Sequence, residues 1–184
     1  MSAVADGLYQ RRVATLRYQF PYMEQGSKRL DRPALAHATV RAAVNAAAQL
    51  APTLPLFAGG KSFGGRMTSQ AQAEAPLPGV RGLIFLGFPL HPANKPSDER
   101  ALHLSHVRVP MLFLQGTRDA LANSGLLTAT VARLGEIATL IPIDGADHSF
   151  HVPARSERTD TQVLADALDA LVAWMESQRD WLGR

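Results

Sequence analysis

Leu54-Pro55-Leu56-Phe57-Ala58-Gly59-Gly60-Lys61-Ser62-Phe63-Gly64-Gly65 decides how the rest of the chain is read. An apolar run enters a cluster of glycines and opens into helical spacing. Two unrelated chemistries use such a strand–turn–helix. In one, a wide loop of backbone N–H groups cradles phosphates; it needs Gly-x-x-x-x-Gly-Lys-Ser/Thr. Counting back from Lys61 puts Pro55 where the first glycine belongs, and proline has no N–H to give. The turn left after the apolar run is also too short to surround a pyrophosphate. In the other, Gly-x-Ser-x-Gly presents a serine on a strained strand-to-helix turn. Gly60-Lys61-Ser62-Phe63-Gly64 fits it residue for residue, and Gly65 extends the side-chain-free contact between strand and helix.

The surrounding composition suits a soluble globular protein. The 184 residues are 46% apolar and 19% charged, enough chain for one domain spanning 1–184 that buries roughly two thirds of its unfolded surface. There is no cysteine, so no disulfide framework and no thiol chemistry is expected. The net charge is +3, with basic pairs only at Arg11-Arg12 and Lys28-Arg29, which argues against a nucleic-acid partner. No run of 18 apolar residues and no signal-like leader occurs, so no membrane partner and a cytoplasmic location are expected. The oligomeric state is left open.

Periodicity divides the rest into alternating elements. Residues 1–12 read as an amphipathic helix through Val4, Leu8 and Tyr9, and Val13 to Tyr18 reads as a strand ended by Phe20-Pro21-Tyr22. Pro33 opens a helix to Leu50, with Leu35, Val40, Val44, Ala47 and Leu50 as its apolar face. Strands are expected at Leu54–Ala58, Val80–Leu86, Met111–Leu114 and Ala138–Ile143. Helices are expected at Phe63–Ala73, briefly from Asp98, at Ser124–Leu134 with Gly135 as its stop, and from Thr159, where Thr159-x-x-Gln162 forms a capping box. Leu164, Leu168, Leu171 and Met175 line the buried side of that last helix. Strands alternating with helices imply an α/β fold, a mostly parallel sheet with helices on both faces. Its site lies at the carboxyl ends of the strands.

A serine nucleophile needs a base, and the base an orienting acid. Asp119 follows the Met111–Leu114 strand in Gln115-Gly116-Thr117-Arg118-Asp119. His148 follows the Ala138–Ile143 strand in Asp144-Gly145-Ala146-Asp147-His148-Ser149-Phe150. Three strand ends each supply one residue of the required type, in the order Ser…Asp…His. Asp147 competes with Asp119 for the role of acid, but neighbouring side chains in an extended loop point apart, which favours Asp119.

Taken together, "GGKSFGGRM", "QFPYMEQG", "LGFPLHPANKP", "QGTRD" and "DGADHSF" make the chain resemble an α/β-hydrolase of the dienelactone-hydrolase-like group. More narrowly, it resembles small bacterial hydrolases related to the testis-expressed and NSL-complex subunit proteins. The resemblance covers nearly the whole chain. It implies Ser62 as nucleophile, Asp119 as triad acid, His148 as base, ester or acyl hydrolysis of a small molecule, and Phe63 N–H in the oxyanion hole. It also implies an N-terminally shortened fold. Relatives carry, ahead of the first helix, a βα unit of about 30 residues with a His-Gly-x-Gly-type loop that provides a second oxyanion donor. Its strand belongs between the first two strands here, so a gap in the sheet is expected, as is an upstream reading frame that encodes the unit. Some eukaryotic relatives act in complexes, so a non-catalytic protein-binding module is the alternative reading.

The remaining candidates carry weaker signals. Phe20, Tyr22, Phe88 and Phe150 sit on loops at strand ends, either lining an acyl pocket or covering the core. His91 in Pro89-Leu90-His91-Pro92 reads as a loop constraint or a pocket residue. Lys61 is a solvated lysine or an attractor of anionic substrates. His37, His103 and His106 read as surface or partly buried helix residues. His148-x-x-His151 has metal-ligand spacing without a third ligand nearby, so neither a metal nor a cofactor is expected.

Overall fold

In the computed structural model, which describes residues 1–178, four strands form one sheet in the order β1-β2-β3-β4, all parallel. They are β1 (Leu56–Lys61), β2 (Val80–Leu86), β3 (Met111–Gly116) and β4 (Ala138–Ile143). The helices are α1 (Ser2–Gln10), α2 (Pro21–Glu24), α3 (Pro33–Leu50), α4 (Phe63–Glu74), α5 (Ser124–Leu134) and α6 (Asp160–Ser177), with a 3-10 segment at Glu99–His106. Among the described residues no helix is long and apolar enough to cross a membrane.

The sheet is covered on both faces, and strand alternation explains how. Leu83, Phe85, Met111 and Phe113 face α3, α4 and α5 in one cluster. Leu86, Leu112 and Leu114 face α6 in the other, where Val4 and Leu8 of α1 also pack. Every residue of β3 is buried, as a doubly covered strand requires. Helix limits follow local signals. Pro33 occupies the first turn of α3, and Gly135 ends α5 at φ +68°. At α6, Thr159 accepts from Gln162 N–H while the Gln162 side chain accepts from Thr159 N–H.

Three expectations need correction. Val13–Tyr18 is extended but, among the described residues, pairs with no strand; a ladder needs a partner. The first strand is Leu56–Lys61, not Leu54–Ala58. It starts beyond Pro55 and runs through the glycines, because Phe57 to Lys61 stay in register with Gly82 to Leu86. In α3 the buried stripe is Ala36, Val40 and Val44, whereas Leu35 and Leu50 are exposed. So many alanines left the orientation of that helix to be set by its neighbours.

Candidate active site

Ser62 stands where β1 ends and α4 begins, at φ 53° and ψ −117°. A positive φ costs a side-chain-bearing residue on the order of 1–3 kcal/mol, and two glycines make the turn possible. A methyl group added to Gly65 would sit 2.7 Å from Gly60 O, and one on Gly60 would sit 3.3 Å from the Gly64–Gly65 peptide. The backbone is therefore pressed against itself, and the hydroxyl projects from the strand end. Phe63, the first residue of α4, has no hydrogen-bond partner for its N–H among the described residues. It belongs to the free, positive end of a helix dipole.

The loop after β4 brings in His148. Its Nε2 lies 2.8 Å from Ser62 Oγ and its Nδ1 lies 2.6 Å from Asp119 Oδ2. A carboxylate only accepts, so Nδ1–H donates to Asp119 and Nε2 accepts the serine proton. Three glycines permit this approach. Gly87 (φ +70°) takes a left-handed backbone that side chains disfavour and lets the loop pass close, because a methyl there would lie 3.2 Å from His148 O. Gly116 lets the loop cross the end of β3, with Ala146 O only 2.4 Å from where a Cβ would be. Gly145 turns the loop at φ +68°. Beyond His148, Phe150 adopts φ +64° and is buried in the α6 cluster; that burial anchors the loop.

Asp119 has no exposed side-chain surface and three donors converge on it. Besides His148, Gln115 Nε2–H donates to Oδ2 at 2.5 Å and Leu121 N–H to Oδ1 at 2.7 Å. Gln115 is itself fixed, since its Oε1 accepts from Phe88 N–H at 2.8 Å. Asp147 instead turns into its own loop, accepting from Ser149 N–H and His151 N–H. Burial alone pushes its carboxyl pKa up, but those two backbone donors, with His151 and Lys61 nearby, bring it below the usual value.

The other candidates part company. Tyr22 packs edge-on to Phe63, with ring centroids 5.9 Å apart, and Phe20 packs on Phe63 at 5.2 Å. Both therefore pack at the start of α4, and Phe20 is buried there. Phe88 is a core residue between Phe85 and Phe113, and Phe150 belongs to the opposite core. His91 is buried and spends both ring nitrogens on backbone. Its Nδ1–H donates to Pro92 O and its Nε2 accepts from Asn123 N–H, each at 2.8 Å. It thereby ties the Pro89–Pro92 loop to the segment beyond Asp119. Lys61 Nζ donates to Ser149 Oγ at 3.2 Å. His151 pairs with Asp160 at 2.5 Å, so the two histidines of the His-x-x-His spacing have separate carboxylate partners. Burial, then the Arg66 charge and two neighbouring histidines, lower the His103 pKa to about 4.

Sequence reasoning passed over Gln115, Gly87 and Gly116. Gln115 had a visible signal, a polar side chain closing an apolar strand covered on both faces.

Comparison with known proteins gives a consistent picture. The model of a family described as "Alpha/beta hydrolase domain" matches residues 1–176. Among solved structures, the chain is similar to an alpha-beta serine hydrolase homologue from Coxiella burnetii at 19% identity and a TM-score of 0.71, covering 94% of this chain and 74% of that one. It is similar to a protein of Xanthomonas campestris described as a serine hydrolase without a lid, at 19% identity and a TM-score of 0.70, covering 94% and 72%. The esterase domain of a Rhodothermus marinus protein matches at 17% identity and a TM-score of 0.65, covering 97% and 78%. At these identities the three likenesses speak to the fold.

Proposed function

We infer the function from one premise: the chain belongs to the alpha/beta hydrolase domain family. We propose that it is a serine hydrolase that transfers the acyl group of a small ester to water. The observation that carries this reading is Ser62, held at a strained φ with its Oγ 2.8 Å from a histidine whose other nitrogen meets a buried carboxylate.

Ser62 Oγ attacks the carbonyl carbon as His148 Nε2 takes its proton. Asp119 keeps the imidazole in the tautomer with Nε2 free and offsets the charge of the imidazolium. Negative charge gathers on the carbonyl oxygen in front of Phe63 N–H, and such a donor is worth about 10²–10³ in rate. The tetrahedral adduct collapses; the leaving alcohol takes the proton from His148, and Ser62 keeps the acyl group. Water then repeats the sequence, His148 acting first as base and then as acid toward Ser62. Every atom moved belongs to substrate, water, Ser62 or His148. Tyr22 and Phe63, packed edge to face and only partly buried, are the aromatic side chains this reading offers to the acyl side, with Phe20 buried behind them. The motifs quoted above support placing the chain near the dienelactone hydrolases within the family.

A fluorophosphonate probe tests the assignment. Intact protein is expected to be labelled at Ser62, as read by peptide mass spectrometry, and Ser62→Ala is expected to lose the label along with p-nitrophenyl acetate hydrolysis. Equal labelling of the Ser62→Ala protein would refute the assignment.

A further inference from the structure

Arg66 stands one turn beyond Ser62 on α4, its backbone N–H donating to Ser62 O at 3.1 Å. Its side chain is half-buried, and its Nε is shut off from solvent with no acceptor among the described residues. A buried donor left in this way costs on the order of 1–3 kcal/mol. The 3-10 segment Glu99–His106 packs against α4 and brings up Arg100. Burial, then the Arg100 charge, makes the cation on Arg66 harder to hold and lowers its pKa. His103 of the same segment meets α4 at Ser69, Nε2 to Oγ at 2.8 Å. The one Ser69 hydroxyl proton goes to Arg66 O. His103 Nε2–H therefore donates to Ser69 and Nδ1 keeps a lone pair.

No carboxylate offsets these charges. Among the described residues neither Arg66 nor Arg100 forms an ion pair. Glu74, at the end of α4, is engaged by His37 at 3.1 Å, and Asp98, just before the 3-10 segment, by Arg133 at 2.5 Å. Glu99 is exposed and pairs with neither arginine. Like charges gathered without a counter-charge repel one another, and an anion relieves them.

We propose that Arg66 and Arg100, with His103 beside them, form a binding site for a phosphate-type dianion in the seam between α4 and Glu99–His106. Charge selects the ligand. Both guanidiniums stay charged at neutral pH, and each presents a fork of donors that fits phosphate oxygens. A dianion matches both charges, whereas a carboxylate leaves one uncompensated. The phosphate is either free or the end of an ester whose carbonyl lies at Ser62, one turn away on the same face of α4. Binding itself does not depend on the role given to Ser62.

The test titrates the intact chain with sodium phosphate by isothermal titration calorimetry, in about 0.15 M sodium chloride so that diffuse attraction is screened. One saturable site is expected, with Kd below about 1 mM. Arg66→Gln and Arg100→Gln should each weaken it at least about tenfold. Arg66→Lys keeps the charge but not the fork and should weaken it at least about threefold. Arg29→Gln, on the exposed loop before α3, should change it by less than about threefold. Melting temperatures check that the variants fold. Phosphate should also move the midpoint of the His103 titration upward from about 4, followed through its ring proton resonances, since a bound anion favours the imidazolium. Two esters distinguish the sources, 2-acetoxyethyl phosphate and the neutral 2-methoxyethyl acetate. A kcat/KM at least about tenfold higher for the first, lost in Arg100→Gln, identifies a substrate phosphate; equal values with phosphate still bound identify the free ion. No saturable heat up to about 10 mM phosphate, undiminished binding in Arg66→Lys and Arg100→Gln, an equal loss in Arg29→Gln, or a His103 titration unmoved by phosphate would each overturn the proposal.

Discussion

Replacing Gly116 by alanine adds one methyl group and tests how the histidine is placed. The new Cβ would lie 2.4 Å from Ala146 O and 2.6 Å from Asp147 O, both backbone atoms, where ordinary contact begins at 3.4 Å. The loop carrying His148 must therefore retreat from β3 by about 1 Å. Gly116 does not have a positive φ, so the effect is one of space and not of backbone strain. A retreat of that size carries His148 away from Ser62, and a misplacement near 1 Å costs on the order of 10² in rate. Overpacking of this kind destabilises by about 1–3 kcal/mol. Gly116→Ala is therefore expected to lose about 10² in kcat/KM for p-nitrophenyl acetate while remaining folded, with a melting temperature lowered by several degrees. Far-UV circular dichroism and thermal melts accompany the kinetics. Full activity at an unchanged melting temperature would refute the argument, because it would mean that the loop does not depend on the gap at Gly116.

Two further outcomes are expected. Asp119→Asn offers one acceptor oxygen to three donors and turns an amide toward His148 Nδ1, favouring the wrong tautomer, so kcat should fall by about 10⁴. Asp147→Asn keeps the Oδ1 that accepts from Ser149 and His151, so its kcat should change by less than about tenfold; similar losses for the two would refute the choice of acid. His103 has its pKa lowered to about 4, with burial as the main cause. Between that value and the unfolded value near 6.5, the unfolded chain binds the extra proton, so this group withdraws stability as pH falls through the window. The full shift corresponds to about 3 kcal/mol, or about 1–2 for a ring only partly removed from solvent. Urea melts at pH 7 and at about pH 4.5 should show a smaller acid loss in His103→Gln than in the unsubstituted protein.

Elements were legible where the signal was local. Pro33 at the first turn of α3, Gly135 after α5 and the Thr159–Gln162 capping box each act within a few residues of the boundary they mark. Strand pairing is not local. Val13–Tyr18 has the composition of a strand, yet whether it becomes one depends on what lies beside it. The Gly59–Gly60 pair lacks strand propensity, yet it is strand because β2 holds it in register. The expected face of α3 holds at Val40 and Val44 but fails at Leu35 and Leu50, which are exposed, for the same reason. Leu35 is a good core residue by itself, but it is Ala36 that is buried, in the cluster shared with Met67 and Ala71 of α4, where a small side chain suits the contact between the two helices.

The candidate side chains Ser62, Asp119 and His148 come together because each follows the end of a parallel strand, and parallel strands deliver their carboxyl ends to one edge. What positions them was less legible, because it is made of contacts between strands. Gln115 shows how far the reasoning could have gone. β3 is Met111-Leu112-Phe113-Leu114-Gln115-Gly116, and all of it is buried. An amide at the end of such a strand has to spend both its oxygen and its nitrogen, since leaving either unpaired costs on the order of 1–3 kcal/mol. An acceptor and a donor must then stand on opposite sides of it. The donor is Phe88 N–H, just past β2, and the acceptor is Asp119, just past β3. Asp119 is thus held from both strand ends at once, with Gln115 and His148 on one oxygen and Leu121 N–H on the other.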